Sequence, residues 1–398
     1  MLKRKYFCFF VWLAGLFFLF AYKEYVVGSS VKQEDETIVN DYYEQYYDSA
    51  DIHSIEKELE GINRKYGRND AVSFEEIFSL LLEGNVDAAI ESAVSQLFEN
   101  VTFRMKENSE LFIKLVLLVL IAAIFNTYSS MYQFSYVGEQ GFFVTYIMIA
   151  MLLLQSFSFV FHMAEDTIYY INEIIKCLLP ALYMSLMLCS GLTTSHMVNT
   201  MFLWMLSIIE KVLLGVVLPG IQIYFLVILL NQVSNVDRFS KMAHLLKQGL
   251  QWILKGIVTA IIGLNVVKSI LVPVYDNAKY NVLQKGLSIV PGGATLSGLS
   301  TLLLGAGVLI KNSVGVTVVL ILLVLGMVPI LEVAVFFIVY KVILAMVQPI
   351  SDERILKGLQ GAADSTGILL RATTTSIVLS VLSVAIVLLT TNVKLYTG

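Results

Sequence analysis

The sequence predicts an all-α, polytopic helical membrane protein with about eight to ten membrane segments and a small acidic helical extracytoplasmic region. Three observations carry this reading. First, 57% of the 398 residues are hydrophobic and only 15% are charged, with a mean hydropathy of +0.76, whereas soluble domains carry about 25% charged residues. Second, apolar runs near the roughly 20 residues that a helix needs to cross hydrocarbon recur from residue 111 to residue 389. Third, charge is segregated: residues 29–110 hold seven Lys/Arg and nineteen Asp/Glu, a net of −12, and residues 111–398 hold sixteen and eleven, a net of +5. That asymmetry marks two regions in two environments. The chain divides into a leader (1–28), an acidic helical region (29–110) and a polytopic region (111–398).

The leader has the form of a secretory signal. Lys3-Arg4-Lys5 is a basic start, residues 6–21 are apolar, and Val26-Val27-Gly28 offers small residues for cleavage near Ser29. An uncleaved signal anchor is the rival reading, and both put residues 29–110 outside the cytoplasm. In that region Ile52, Ile55, Leu59, Ile62 and Tyr66 recur at helical steps. Ser73-Phe74-Glu75-Glu76 is a capping box, followed by Ile77, Phe78 and Leu81 on the Phe74 face. Gly84 is placed to stop that helix and Asn85 to cap the next, which carries Ala89, Ala93, Leu97 and Phe98. Tyr42, Tyr43, Tyr46 and Tyr47 stand in an acidic setting and read as a local packing surface, or more sharply as a contact for a partner outside the membrane. About 80 residues bury only a modest core, so docking onto the membrane part or onto a partner is expected.

In the polytopic region, 111–131 and 141–163 qualify as spans. Residues 164–176 carry Glu165, Asp166, Glu173 and Lys176 among isoleucines and read as interfacial; 177–192 is a shorter span holding Pro180. Residues 197–230 exceed one straight crossing, and Pro219-Gly220 is the expected break. The stretch 235–255 has Arg238, Lys241, Lys247 and Lys255 against Asp237 alone, which assigns it to the cytoplasm as an amphipathic surface helix. Reaching the cytoplasm there from an outside acidic region requires a hairpin at Pro219-Gly220. A span at 256–272 follows. Residues 314–347 imply two crossings turning near Pro329, 351–371 reads as a polar linker, and 373–389 is the last span.

Residues 273–307 are the least regular part. A charged opening with Asp276, Lys279 and Lys285 leads to Pro291-Gly292-Gly293 and further glycines. Broken backbone at membrane depth survives only inside protein or beside water, so an interrupted or re-entrant helix is expected. The stretch lacks the Lys-Ser/Thr ending of a phosphate loop, and its small residues suit close helix packing. Similar Leu-Lys-Gly triplets at Leu254, Leu356 and, as Gln-Lys-Gly, Gln284 read as chance in a Leu-rich chain or as an old duplication.

Ionisable residues within apolar runs are functional candidates because placing them in hydrocarbon is costly. Glu210, Lys211, Lys268, Lys311, Glu332 and Lys341 meet that criterion, either as structural charges that pair or snorkel or as parts of a pore or subunit contact. Glu332 and Lys341, nine residues apart, face opposite sides of one helix. Catalysis has little support. Ser195 and His196 diverge as neighbours, no HExxH or nucleotide-binding glycine fingerprint is present, and the three cysteines and four histidines have no metal-ligand spacing. No cofactor and no enzymatic activity are expected.

The order of these features, together with Asp276, Lys279, Lys285 and the Val290-Pro291-Gly292-Gly293 turn, resembles the stage III sporulation protein AE family over essentially the whole chain. Asn277 stands where the family pattern has glycine after the aspartate. The resemblance implies a membrane subunit of the channel complex joining mother cell and forespore in endospore-forming bacteria. It implies partners there: a secretion-type ATPase, ring-forming proteins between the two membranes and small membrane subunits, besides lipid and with no nucleic acid. It further implies the mother-cell membrane as location, residues 29–110 in the intermembrane space, and an assembly or pore role for the 273–293 residues. A small-solute secondary transporter and a scaffold without a pore are the alternatives.

Overall fold

The computed structural model describes residues 52–67, 73–107, 113, 117, 135–233, 238–287, 293–349 and 353–390. The described residues form α1 (Ile52–Lys65), α2 (Phe74–Leu82), α3 (Val86–Glu107), α4 (Ser135–Val212), a π-turn (Leu213–Val217), α5 (Leu218–Val233), α6 (Ser240–Leu287), α7 (Gly293–Val347) and α8 (Glu353–Thr390), with no strand among them. Five stretches are long and apolar enough to cross a bilayer: Tyr146–Met187, Thr200–Val233, Ser240–Leu264, Ile310–Val347 and Glu353–Ala385. The protein is an all-α polytopic membrane protein. The leader, the tyrosine cluster at 42–47 and, apart from Ile113 and Leu117, the 111–131 run lie outside the described residues.

The acidic helices form where their caps direct them. Ser73 Oγ accepts the Glu76 N–H at 3.2 Å, and the Glu76 carboxylate accepts from Ser92 Oγ on α3 at 2.9 Å. Gly84, at φ +79°, ends α2 in a conformation that a side chain would strain. Asn85 Oδ1 then accepts the Ala88 N–H at 3.4 Å. Ile55, Leu59 and Ile62 of α1, Phe74, Ile77, Phe78 and Leu81 of α2, and Ala89 and Ala93 of α3 are buried. Phe98 departs from its expected inward place and is 66% exposed, because five residues of helix turn it about 140° away from Ala93.

Glu56 ties α1 to α2 by accepting the Phe74 N–H at 2.8 Å. Burial holds its carboxyl above the ordinary range, partly opposed by the Phe74 and Ser73 hydrogen bonds. A raised folded pKa means that the folded state binds the proton more tightly. Stability from this group is therefore present at low pH and lost as pH rises through the folded value. Glu56→Gln, which keeps an acceptor but no charge, should flatten that fall in thermal unfolding profiles taken as pH rises above the ordinary carboxylate range. Glu56→Ala should cost about 1–2 kcal/mol by leaving the helix N–H unsatisfied.

The long helices pair as antiparallel arms. Within α4, Lys176 Nζ lies 3.7 Å from Glu210 Oε2, although 34 residues of straight helix would separate them by about 50 Å. The chain direction therefore reverses between them, and the two arms run on together: Phe157 meets Phe225 at 4.2 Å between ring centroids, and Tyr146 OH donates to the Leu229 carbonyl at 2.7 Å. These contacts lie on both sides of Pro219, so the expected hairpin there is corrected. Instead a π-turn, with the Leu218 N–H donating to the Leu213 carbonyl, precedes Pro219. Its wider winding accommodates a ring that clashes in a regular helix.

α5 and α6 are likewise antiparallel, with Asn231 Oδ1 accepting the Phe239 N–H at 2.8 Å and Gly220 against Leu250. The surface helix expected at 235–255 is thus part of the bundle, burying Ala243, Leu250, Leu254, Ile257 and Ile261. α7 passes through Pro329 without turning: Gly326 faces Ile377 and Gly367 faces Phe337 across an antiparallel pairing with α8. Two crossings in 314–347 are corrected to one helix, and the 351–371 linker is the first half of α8 from Glu353 onward. Residues 164–192 likewise continue α4 instead of forming separate segments.

Two hydrophobic clusters stack along the bundle. One joins α1–α3 to residues 170–186 and 202–206 of α4, 310–325 of α7 and 377–388 of α8. The other fills the opposite end, from Tyr146 to Ile168, through α5 and α6, and across Val333–Val347 and Ile355–Leu379. The acidic helices thus share a core with one end of the bundle, held also by Tyr170 OH donating to Asn63 Oδ1 at 2.8 Å and by the Lys65–Glu173 ion pair. The other end carries Arg238, Lys241, Arg354 and Lys357.

Candidate functional site

The α1–α3 layer sets where hydrocarbon can lie. Glu58, Glu60 and Arg64 are exposed on α1 beside the 170–178 level of α4, the level at which Trp204 and Ile208 are exposed on the other arm. Toward the basic end many exposed side chains are apolar, among them Met148, Met151, Ile223, Leu230, Leu245, Trp252, Ile338 and Val342, with Gln155, His162, His244 and Gln248 exposed between them. Charges bracket this zone on two helices. Arg354 and Arg371 of α8 are about 25 Å apart along the helix, and Lys241 and Lys255 of α6 about 21 Å, close to the roughly 30 Å of hydrocarbon.

Near the middle of this band three helices bring charges together. Asp364 of α8 accepts from Lys247 Nζ of α6 at 2.6 Å and lies 3.8 Å from Lys341 Nζ of α7. Gln360, one turn earlier on α8, donates to the other Asp364 oxygen at 2.9 Å. Lys341 also lies over the Phe337 ring, 5.8 Å from its centroid. Next to Lys341, Tyr340 is fully buried with its hydroxyl 2.7 Å from Ser156 Oγ of α4. One carboxylate thus serves two ammonium groups in a low-dielectric setting. There a charge is kept only by pairing, and loss of the partner is costly. Among the described residues no group of three or more His, Cys, Asp or Glu has a metal-binding arrangement.

Sequence reasoning singled out Lys341 but missed its partners. By sequence Lys247 reads as a cytoplasmic surface charge and Asp364 as part of a polar linker, whereas the structure joins both to Lys341. The available signal was their register: Lys247 lies between Ala243, Leu250 and Leu254, and Asp364 between Leu359 and Ile368, all buried.

The other expected site residues lie elsewhere. Glu210 pairs with Lys176 across the arms of α4, while its neighbour Lys211 is exposed. Glu332 is buried in α7, 8% exposed. Asp276, Lys279 and Lys285 stand on the last turns of α6, which is helical through Pro273 to Leu287, and Gly293 opens α7. Pro291 and Gly292, where the break was expected, lie outside the described residues.

A family described as stage III sporulation protein AE matches residues 72–391, from the cap of α2 to the end of α8. The stage III sporulation protein AE of Bacillus subtilis (strain 168) is 21% identical over 277 residues, covering 69% of this chain and 69% of that protein. No solved structure matches. With four-fifths of its length matched, the chain belongs to the stage III sporulation protein AE family.

Proposed function

We propose that this sporulation-family membrane protein is a subunit of the mother cell–forespore channel complex, a secretion-like apparatus needed for forespore development. The observation that carries the reading is the two-ended build: an acidic helical platform shares its core with one end of a helical bundle whose other end is basic. A free-standing permease has no evident need for such a platform, whereas a subunit bridging two compartments does.

The orientation follows from counting. With the leader cleaved, or anchoring the acidic region outside, a crossing by 111–131 leads inward, the first arm of α4 outward and the second arm with α5 inward. Three crossings return the Arg238–Lys241 turn to the cytoplasm, in agreement with the positive-inside rule and without a hairpin at Pro219. In this reading the protein sits in the mother-cell membrane with residues 29–110 in the intermembrane space. The ring-forming partners meet the acidic end, the ATPase meets the basic end, and small membrane subunits and lipid flank the spans. The protein is a platform or conduit with no catalysis, cofactor or nucleic acid of its own.

The test is purification of the tagged protein from sporulating cells. Co-recovery of the ATPase and ring-forming proteins is expected; recovery alone, with solute uptake in liposomes, would sink the reading in favour of a transporter. If the 290–293 stretch is an assembly element, Gly292→Val and Gly293→Val should each lower spore yield at least tenfold while the protein still inserts. Normal yield from both removes that role.

A further inference from the structure

We infer that the groove between α6 and α7, floored by α8, receives a membrane-spanning helix of another protein that carries an Asp or Glu at mid-depth. α6 and α7 each pack along α8, but among the described residues packing between them is at most a point contact. The side of α8 that bears Asp364 faces both, because Lys247 and Lys341 reach it from the two walls. Along that side the residues that are not buried step by three and four: Lys357, Gln360, Asp364, Gly367, Arg371 and Thr374. That is the seam spacing by which one helix receives another.

The cluster itself is incompletely covered. The side chains of Lys247, Lys341 and Asp364 keep 32%, 39% and 24% of their exposure at the level where Leu245, Trp252, Ile338 and Val342 are exposed. Lipid tails do not solvate them, so protein should cover this face. Charge decides what kind. Two ammonium groups share one carboxylate, which leaves one positive charge in excess, and lipid phosphates lie well away from this depth. The chain's own 111–131 run brings Lys114 and no carboxylate, which adds to the excess. A second copy offers Glu332 on this part of α7, but that residue is buried. A partner helix with one acidic side chain near its centre neutralises the site. The inference rests on the depth and charge of the groove, not on membership of the channel complex.

The experiment is site-specific photo-crosslinking in sporulating cells with the full-length protein, using p-benzoylphenylalanine at Gln251 or Ala345. These positions lie one turn beyond Lys247 and Lys341 on the groove side; Leu245, on the far face of α6, is the control. The expected result is a crosslink from the groove positions, absent at Leu245, to a membrane-spanning peptide with Asp or Glu near its middle. Lys341→Glu should reduce its yield about tenfold or more, and changing the partner's acid to Lys should restore it. Should Lys341→Glu fail to accumulate, Lys341→Gln gives the same reading with a smaller loss. A crosslink to residues 111–131, to a second copy, to lipid alone or to a span without an acid overturns the inference. So does a yield indifferent to both Lys341 substitutions.

Discussion

Asp364→Leu is expected to destabilise the protein by about 2–4 kcal/mol, somewhat less than the loss of one member of a fully buried ion pair. The substitution removes the acceptor of the 2.6 Å Lys247 bond and leaves Lys247 and Lys341 facing one another across α8. Both ammonium groups then lack the carboxylate that joins them. The damage should appear as a lower midpoint in detergent-solubilised thermal unfolding and as reduced protein in membranes. The informative comparison is the triple variant Lys247→Met, Lys341→Met, Asp364→Leu. Replacing a whole buried charge cluster by apolar side chains of similar volume is often neutral or stabilising, so the triple variant should melt near the wild type. If the excess positive charge serves a partner helix, the triple variant regains stability but not spore yield. Wild-type melting of Asp364→Leu would show that the cluster holds nothing together.

The local signals in the sequence were reliable where one residue type does one job. Ser73, Gly84 and Asn85 began and ended helices as their side chains dictate, and the α2 stripe faced inward. The long-range reading failed at the prolines. Pro219 and Pro329 were read as turns because proline removes a backbone bond, but a π-turn accommodates one and a well-packed helix carries the other. The chain reversal inside α4 has no proline near its centre. It became visible only through the Lys176–Glu210 and Phe157–Phe225 contacts. The length of the apolar runs misled for a related reason. Residues 310–325 are as apolar as a span, yet α2 and α3 pack on this helix, and a composition window cannot distinguish burial in protein from burial in lipid.

The same limit applies to the site. Lys341 was conspicuous because its neighbours are apolar. Asp364 was not, because Gln360, Ser365 and Thr366 surround it in sequence, and that polarity suggested a linker. In the folded chain Ser365 and Thr366 are buried against the bundle, so their polarity says little about solvent. Helix pairing brought the three charges together, and pairing between elements more than 20 residues apart is not written in any local pattern.

Gly315→Ala should destabilise the protein, and here the sign matters more than the size. In an exposed helix interior the exchange of Gly for Ala favours the helix by about 1 kcal/mol. At Gly315 the new Cβ would overlap a Leu388 methyl and stand 2.7 Å from the Leu388 Cγ. Leu388 is itself buried, so it can give way only by moving α8 or by entering a strained rotamer; such overpacking costs about 1–3 kcal/mol. A net loss is therefore expected despite the propensity gain, with Gly315→Val worse than Gly315→Ala. Leu388→Ala alone should cost about 2–4 kcal/mol by leaving a cavity. Combined with Gly315→Ala, the loss should fall below the sum by about 1 kcal/mol or more, because the new methyl occupies the space that Leu388 vacates. The coupling also reaches Lys311, fully buried one turn before Gly315, whose Nζ donates to the Leu388 carbonyl at 3.4 Å. A shift of α8 at Leu388 weakens that bond, so the Gly315 variants should also loosen the acidic end, where α3 packs on α7. Increased protease cutting within residues 52–107 would report it. A stabilised Gly315→Ala protein would mean that α7 and α8 do not approach as closely as this packing requires.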